Sequence, residues 1–365
     1  MRIKNNNHLM YCLNIHKGEH WTDNFKTIKE NVLAIKKEFC PNDEFAVGLR
    51  ISAAAAKELI KEIDVFTDFL KKNSLYVVTI NGFPFGSFHG GVIKEKVYLP
   101  DWSSQERVDY TKDLIDILVK VMPAGEIGTI STVPLHYGKK VKKKGSKNII
   151  KTAEYLSAVE KNTGKRIILS LEPEPDCFLD SLASTVKYFK KMIKKSGKFK
   201  KYIGVCLDCC HAGVEFEDPL KWYDTLTGAG IEVVKIQISA GLRARLQTIE
   251  KARALLTPFT DKEYLHQVRI KSNGKISRYA DLSNALLDFK PGELTVHFHV
   301  PVTWDGKSIG STVTNLGKEF FKKIILDGYK HLELETYTYW VLPGKKLDIN
   351  ASIISELNWL KEKTF

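Results

Sequence analysis

The feature that most restricts how this 365-residue chain can fold is a rhythm. A short apolar or β-branched run ends at a polar turn, a longer amphipathic stretch follows, and the pattern begins again. Continuously apolar runs mark strands covered on both faces, and the helical stretches between them read as crossovers. The runs fall at Leu9–Ile15, Phe45–Ile51, Leu75–Asn81, Gly128–Pro134, Arg166–Glu172, Tyr202–Asp208, Glu232–Ser239, Leu294–Val300 and His331–Tyr337. Helical stretches include Asp23–Phe39, Ala53–Lys72, Ser104–Val121, Leu242–Leu256 and Ala351–Lys363. No GxGxxG follows the first strand and no GxxxxGK[ST] occurs, so the alternation favours a closed (β/α)8 TIM barrel over a doubly wound sheet. Nine runs are one too many for that barrel. Either the Leu9 or the Leu294 strand is expected to lie outside it. The segment Tyr264–Tyr279 reads as a β-hairpin turning at Ser272-Asn273-Gly274, inserted in the C-terminal half. With no Pro-rich linker or low-complexity tract, residues 1–365 are expected to form a single domain.

Charge and cysteine usage narrow the function classes. Lys and Arg number 56 against 43 Asp and Glu, a net charge of +13. The excess is mostly lysine, gathered at Lys139–Lys147 and Lys187–Lys201. Lysine runs of this kind usually form a solvated face; they leave an anionic small molecule admissible and disfavour nucleic acid as a partner. No apolar run approaches the roughly 18–20 residues of a membrane span. The N-terminal MRIKNNNHLMYCLNIH lacks an apolar signal core, so a cytoplasmic location is expected. The six cysteines are expected to be reduced. A thiolate zinc site at Cys206-x-x-Cys209 is disfavoured. Strand alternation separates Cys206 from Cys209, and no second Cys pair follows.

Barrel enzymes place their chemistry at the C-terminal ends of the strands. One run ends in Glu172, within LEPEP; the next ends in Asp208, with His211 three residues on. The following run carries Gln237 and then Arg243. His297 and His299 share one face of the Leu294 strand, as do Glu333 and Glu335 on the last. Earlier strands contribute Asn14, His16, Arg50, Asn81, His89 and Thr132. Buried carboxylates without partners cost several kcal/mol each or stay protonated, and a shared cation removes that penalty. A divalent ion (Mn, Mg or Zn) is therefore expected at Glu172, Asp208 and Glu335, completed by the Gln237 amide oxygen or a nitrogen such as that of His299. The plainer alternative is a salt-bridged barrel mouth without metal. The loop Asn81–Gly91, NGFPFGSFHGG, is either a cover over the mouth or a tightly turned connector.

LEPEP, GVCLDCCH and LELET, in that order on successive strands, resemble the xylose-isomerase-like barrel superfamily. Its members include sugar isomerases and epimerases, inosose dehydratases and endonuclease IV-type apurinic endonucleases. Their shared core is Glu, Asp-x-x-His, His and Glu. Glu172, Asp208 with His211, and Glu335 match three of those four strand ends. Through the segments Tyr11–Trp21, Val47–Ser52, Val77–Gly90, Ile130–Leu135, Tyr264–Arg269, His297–Val302 and Leu332–Pro343 the chain resembles more closely still one branch, the EboE-type metabolite-traffic proteins. The resemblance implies a metal-binding barrel that serves processing or traffic of a secondary-metabolite precursor. It also implies a small-molecule ligand and, as partners, other proteins of the same cluster. On its terms Glu172, Glu335 and His211 are catalytic, while Arg243, His89 and Asn81 bind substrate. Two departures stand out: Gln237 replaces a metal-binding His, and Phe178 replaces a second Glu. His266, His297 or His299 can fill the first vacancy. A non-catalytic binding component and a phosphodiesterase on damaged DNA remain the alternatives.

Overall fold

The computed structural model describes residues 1–140, 142–304, 306, 309–344 and 348–365. Strands β1 (Asn7–Tyr11), β2 (Phe45–Arg50), β3 (Leu75–Asn81), β4 (Ile127–Thr132), β5 (Arg166–Leu171), β6 (Ile203–Asp208) and β7 (Glu232–Ile238) follow one another with intervening helices. After them come β8 (Ala240–Leu246), β9 (Val268–Ser272), β10 (Lys275–Tyr279), β11 (Gly292–Val300) and β12 (His331–Leu334). In the order β1–β12–β7–β6–β5–β4–β3–β2, neighbouring strands pair in parallel. A parallel bridge between Cys12 and Gly48 brings β1 against β2, so the sheet comes round to near closure. This is the eight-stranded arrangement of a TIM barrel, with Arg2–Ile3 added to β1 as a short antiparallel edge.

The Leu9 strand thus belongs to the barrel, and the Leu294 strand does not. A second, wholly antiparallel sheet has the order β10–β9–β11–β8, extended by Gly310–Ser311. β9 and β10 meet across Asn273-Gly274, both in the left-handed region (φ 48° and 76°), as a tight two-residue turn requires. The helix expected from Leu242 is a correction. Ala240–Leu246 is strand β8, and helix begins only at Ile249. The cause lies in AGLRARL, where Ala240, Leu242, Ala244 and Leu246 alternate with Arg243 and Arg245 at period two. Gly241 lets this strand close on its neighbour, since a Cβ there would come within 2.9 Å of the Val296 carbonyl oxygen.

The outer faces of the barrel strands are hydrophobic, whereas its interior is polar. The Thr129 hydroxyl donates to Thr79 Oγ1 (2.8 Å), and His331 Nδ1 lies 2.8 Å from it. Lys235 and Glu333, both wholly buried, form an ion pair at 2.7 Å. Gly48 is obligatory beside them, because any Cβ would collide with Glu333 Oε1 and the Tyr11 carbonyl.

The C-terminal helix, Ile349–Thr364, carries a further buried carboxyl. Glu356 Oε2 accepts from the Val302 amide (2.9 Å) and the Thr336 hydroxyl (3.0 Å), so one side chain ties the ends of β11 and β12 together. Burial pushes its pKa from 4.5 to about 7. The folded state therefore holds a proton that the unfolded state releases, and the penalty grows as pH rises from about 4.5 to about 7. Glu356→Gln is expected to raise stability by about 2 kcal/mol at pH 8 and to change it little at pH 4.5. Urea midpoints at the two pH values measure this. Destabilisation at pH 8 would show instead that the ionised carboxylate is the better acceptor.

Candidate metal centre

Three carboxylates meet where β5, β6 and β12 end. Glu172 lies one residue past β5, its amide still donating to the Thr132 carbonyl (3.0 Å). Asp208 caps the short helix Cys209–Val214. Its Oδ1 accepts from the His211 amide (2.9 Å) and the Ser239 hydroxyl (2.8 Å), which fixes the carboxylate and leaves Oδ2 without a partner. Glu335 follows β12, and its Oε1 accepts from the side-chain amides of Asn14 (2.7 Å) and Asn81 (3.1 Å). All three are buried, with ligand oxygens within 4.8 Å of one another. Burial, reinforced by Asp208, pushes Glu172 well above the carboxyl range; burial and Glu172 do the same to Glu335. Burial also works against ionised Asp208. The imidazoles of His211 and His299 and its two hydrogen bonds outweigh it and hold this pKa below its ordinary value. Three such groups cannot all be charged without a cation between them.

Three imidazoles converge on the same place. His211 Nδ1 lies 2.8 Å from the Pro173 carbonyl, His299 Nδ1 lies 3.2 Å from that of Glu335, and His297 Nδ1 lies 2.6 Å from Gln267 Oε1. The Gln267 orientation is fixed from its other end, where Nε2 donates to Tyr98 Oη and the Pro175 carbonyl (both 3.2 Å). Each acceptor is an oxygen, so each Nδ1 carries the proton, and in a neutral ring Nε2 is a bare lone pair. Burial keeps His299 neutral, with a pKa of about 4; burial and His211 hold His297 well below its ordinary value. Nevertheless the three Nε2 atoms face one another, His211 to His297 at 3.1 Å and His297 to His299 at 3.1 Å. One proton can bridge only one of these contacts. This is the geometry of metal-binding histidines, whose outer nitrogens are pinned by oxygen acceptors. Asp208 joins the two sets, its ligand atom lying within 4.8 Å of those of His211 and His299.

The structure brings together most, but not all, of the expected residues. Glu172, His211, His299, Glu335 and Asn81 line one cleft, and Asp208 lies within ligand distance beneath it. Gln237 is buried, but its amide oxygen accepts from the Cys206 thiol (3.4 Å) and Nε2 has no partner; His299 offers a ring nitrogen within 4.8 Å of the Asp208 ligand atom. Arg243 is placed elsewhere. It sits on β8, part-exposed and clasped by Glu293 (2.5 Å), because the expected helix is a strand that carries it away from the mouth. His89 lines a neighbouring cavity, its nitrogens engaged by the Asn14 carbonyl (2.7 Å) and Tyr264 Oη (2.5 Å). His266 is committed to the His297 carbonyl (2.8 Å) and to Asp261. Asn14 joins the site as the closest partner of Glu335. Glu174, the second acid of LEPEP, was overlooked in the sequence; it accepts from the Tyr98 hydroxyl (2.8 Å), and burial raises it to about 7.

The cleft above the candidate ligands is walled by Phe83, Phe88, Ile93, Val97, Tyr98, Tyr264, Leu265 and Tyr337. Among the described residues no helix is long and apolar enough to cross a membrane. No protein-family model matches the chain, and no curated protein matches it by sequence. Solved structures resembling it include a D-tagatose 3-epimerase-like protein (TM-score 0.52, 13% identity, 99% of this chain and 97% of that one). Others are the D-allulose 3-epimerase from Methylomonas sp. in complex with D-allulose (0.52, 12%, 99% and 98%) and an L-ribulose 3-epimerase (0.51, 12%, 98% and 94%). The chain thus shares the α/β barrel fold of these structures.

Proposed function

We propose that this chain is a divalent-metal-dependent enzyme that removes a proton from the carbon beside the carbonyl of a small hydroxy-carbonyl metabolite and returns it, to the same carbon as an epimerase does or to its neighbour as an isomerase does. The observation that carries this reading is the convergence of imidazole lone pairs on buried carboxylates, with the free Glu172 Oε2 and Asp208 Oδ2 beside them. The candidate ligands are Glu172, Asp208, His299 and Glu335, with His211 and His297 adjoining. Mn, Mg and Zn all suit oxygen with imidazole, and the share of nitrogen favours Zn or Mn over Mg. When bound, such an ion polarises a neighbouring carbonyl and hydroxyl pair. Glu172 and Glu335 then serve as the carboxyl groups that take and return the proton. Asn14 and Asn81 keep Glu335 oriented for that exchange, and the apolar walls keep bulk water from the reacting carbon. The sugar 3-epimerases of like fold act in this reading as analogies of class. The EboE-like segments suggest the cellular setting: processing or traffic of a secondary-metabolite precursor.

The test combines metal analysis of the purified chain with hydrogen exchange in D2O on a panel of hydroxy-ketones, followed by NMR. We expect bound divalent ion and exchange next to the carbonyl, both removed by EDTA, with exchange also removed by Glu335→Gln. A chain that binds no divalent ion sinks the proposal. One that binds the ion but exchanges no proton on the panel returns the site to a metabolite-binding role.

A further inference from the structure

Above its polar floor the cleft is walled by carbon. Phe83, Phe88, Ile93 and Leu265 face it, together with the rings of Tyr98 and Tyr264. Both tyrosine hydroxyls already have protein partners, Glu174 Oε1 at 2.8 Å and His89 Nδ1 at 2.5 Å. Lys94, the cation of the rim, is held by Asp281 (2.5 Å) and the Asp261 carbonyl (3.5 Å). The Asn14 and Asn81 amides donate to Glu335, and Asn81 Oδ1 accepts from the Phe83 amide (3.1 Å). The unpartnered polar atoms of this lining, Asn14 Oδ1, Glu172 Oε2 and Glu174 Oε2, belong to residues gathered about Glu335, His211 and His297, so the groups free to hydrogen-bond a ligand are concentrated at the floor. A sugar hydroxylated along its whole length would bury hydroxyls against ring faces, where each lacks a partner. A site built to recognise hydroxyls instead presents free donors and acceptors to them.

Resting on the metal-dependent reading above, we infer that the substrate is amphipathic: a chelating hydroxy-carbonyl head with an aromatic or branched aliphatic group attached. The head meets Glu172, His211, His299 and Glu335, and the apolar group packs among Phe83, Phe88 and Leu265. Phe88 is the best-placed anchor, since its ring already packs on Tyr264 (centroids 5.7 Å) and Tyr337 (4.9 Å). A further flat ring extends that cluster favourably.

Acetohydroxamate and benzohydroxamate present one chelating head and differ by methyl against phenyl, so they separate the head from the tail. Both are titrated into the metal-loaded chain, each affinity referred to the same ion free in solution. Benzohydroxamate is expected to bind at least about tenfold tighter. Phe88→Ala is expected to shrink that preference to threefold or less with acetohydroxamate affinity unchanged, and Leu265→Ala repeats the test should Phe88→Ala fold poorly. Equal affinity for the two probes overturns the amphipathic substrate and leaves the metal centre standing. If neither probe binds the metal-loaded chain, the amphipathic substrate is overturned as well, and proton exchange alone decides the metal-dependent reading.

Discussion

Asp208→Asn is expected to lower divalent-cation affinity by at least about 100-fold, beyond the 10–100-fold typical of losing a supporting residue. Among the described residues, Asp208 is the only carboxylate shared by the all-carboxylate group and one of the three groups that contain two imidazoles. Its Oδ1 is already used as a helix cap, which leaves Oδ2 for an ion. Asparagine keeps the capping oxygen and so preserves the local fold. It places a neutral NH2 where the second oxygen stood and removes the charge that attracts the ion. The metal-free variant is expected to lose little stability relative to the metal-free parent, since the lost attraction of His211 and His299 is opposed by relief of the repulsion on Glu172 and Glu335. Isothermal titration with Zn2+ and Mn2+, and urea melts in EDTA, read the two halves separately. Parental affinity in the variant would remove Asp208 from the site. A large loss of metal-free stability would make it a structural cap alone.

How far the sequence reveals such a site depends on which element carries each residue. Glu172, Asp208 and Glu335 were legible because a buried parallel strand is a continuous apolar run. Its end is sharp, and the first polar residue after it faces the barrel mouth. His297 and His299 were legible as a pair on one face, but not their destination: β11 belongs to the antiparallel sheet, and only its pairing with β8 and β9 carries the imidazoles over the barrel. The motif position of Arg243 points to the mouth, but the period-two pattern of AGLRARL makes its segment strand β8, where Glu293 clasps it. Gln237 stood at the right strand position, yet an amide can turn, and the Cys206 thiol beneath it engages its oxygen. The hydroxyl partners of Tyr98 and Tyr264 are 76 and 175 residues away along the chain. Periodicity cannot read contacts at that range, so the apolar character of the cleft emerges only from the packed structure.

Lys235→Met is expected to destabilise the fold by about 3–5 kcal/mol at pH 8, the cost of leaving a buried carboxylate without its partner. Lys235 Nζ lies 2.7 Å from Glu333 Oε2 and donates to Ser131 Oγ (3.2 Å), with neither charged side chain reaching water. Burial works against the ammonium, but Glu333 outweighs it and holds the Lys235 pKa above its ordinary value. The same ammonium offsets part of the negative charge of Glu172 and Glu335 on the layer above. Methionine fills the stem of the lysine but cannot replace that charge, and Gly48 packed on Glu333 Oε1 leaves little room for water to enter. Two signatures separate loss of the pair from loss of packing. Removing the ammonium leaves a buried carboxylate without its ion partner, a cost that shrinks as pH falls, whereas a cost in packing does not change with pH. Adding Glu333→Gln removes the unpaired charge and is expected to recover at least about 2 kcal/mol at pH 8, a coupling that only interacting residues show. Urea denaturation of the parent, both single variants and the double variant at pH 8 and pH 5 completes the cycle. Additive losses that ignore pH would mean that Lys235 supports the barrel by its hydrocarbon stem, and that the carboxylates above are balanced by the bound cation alone.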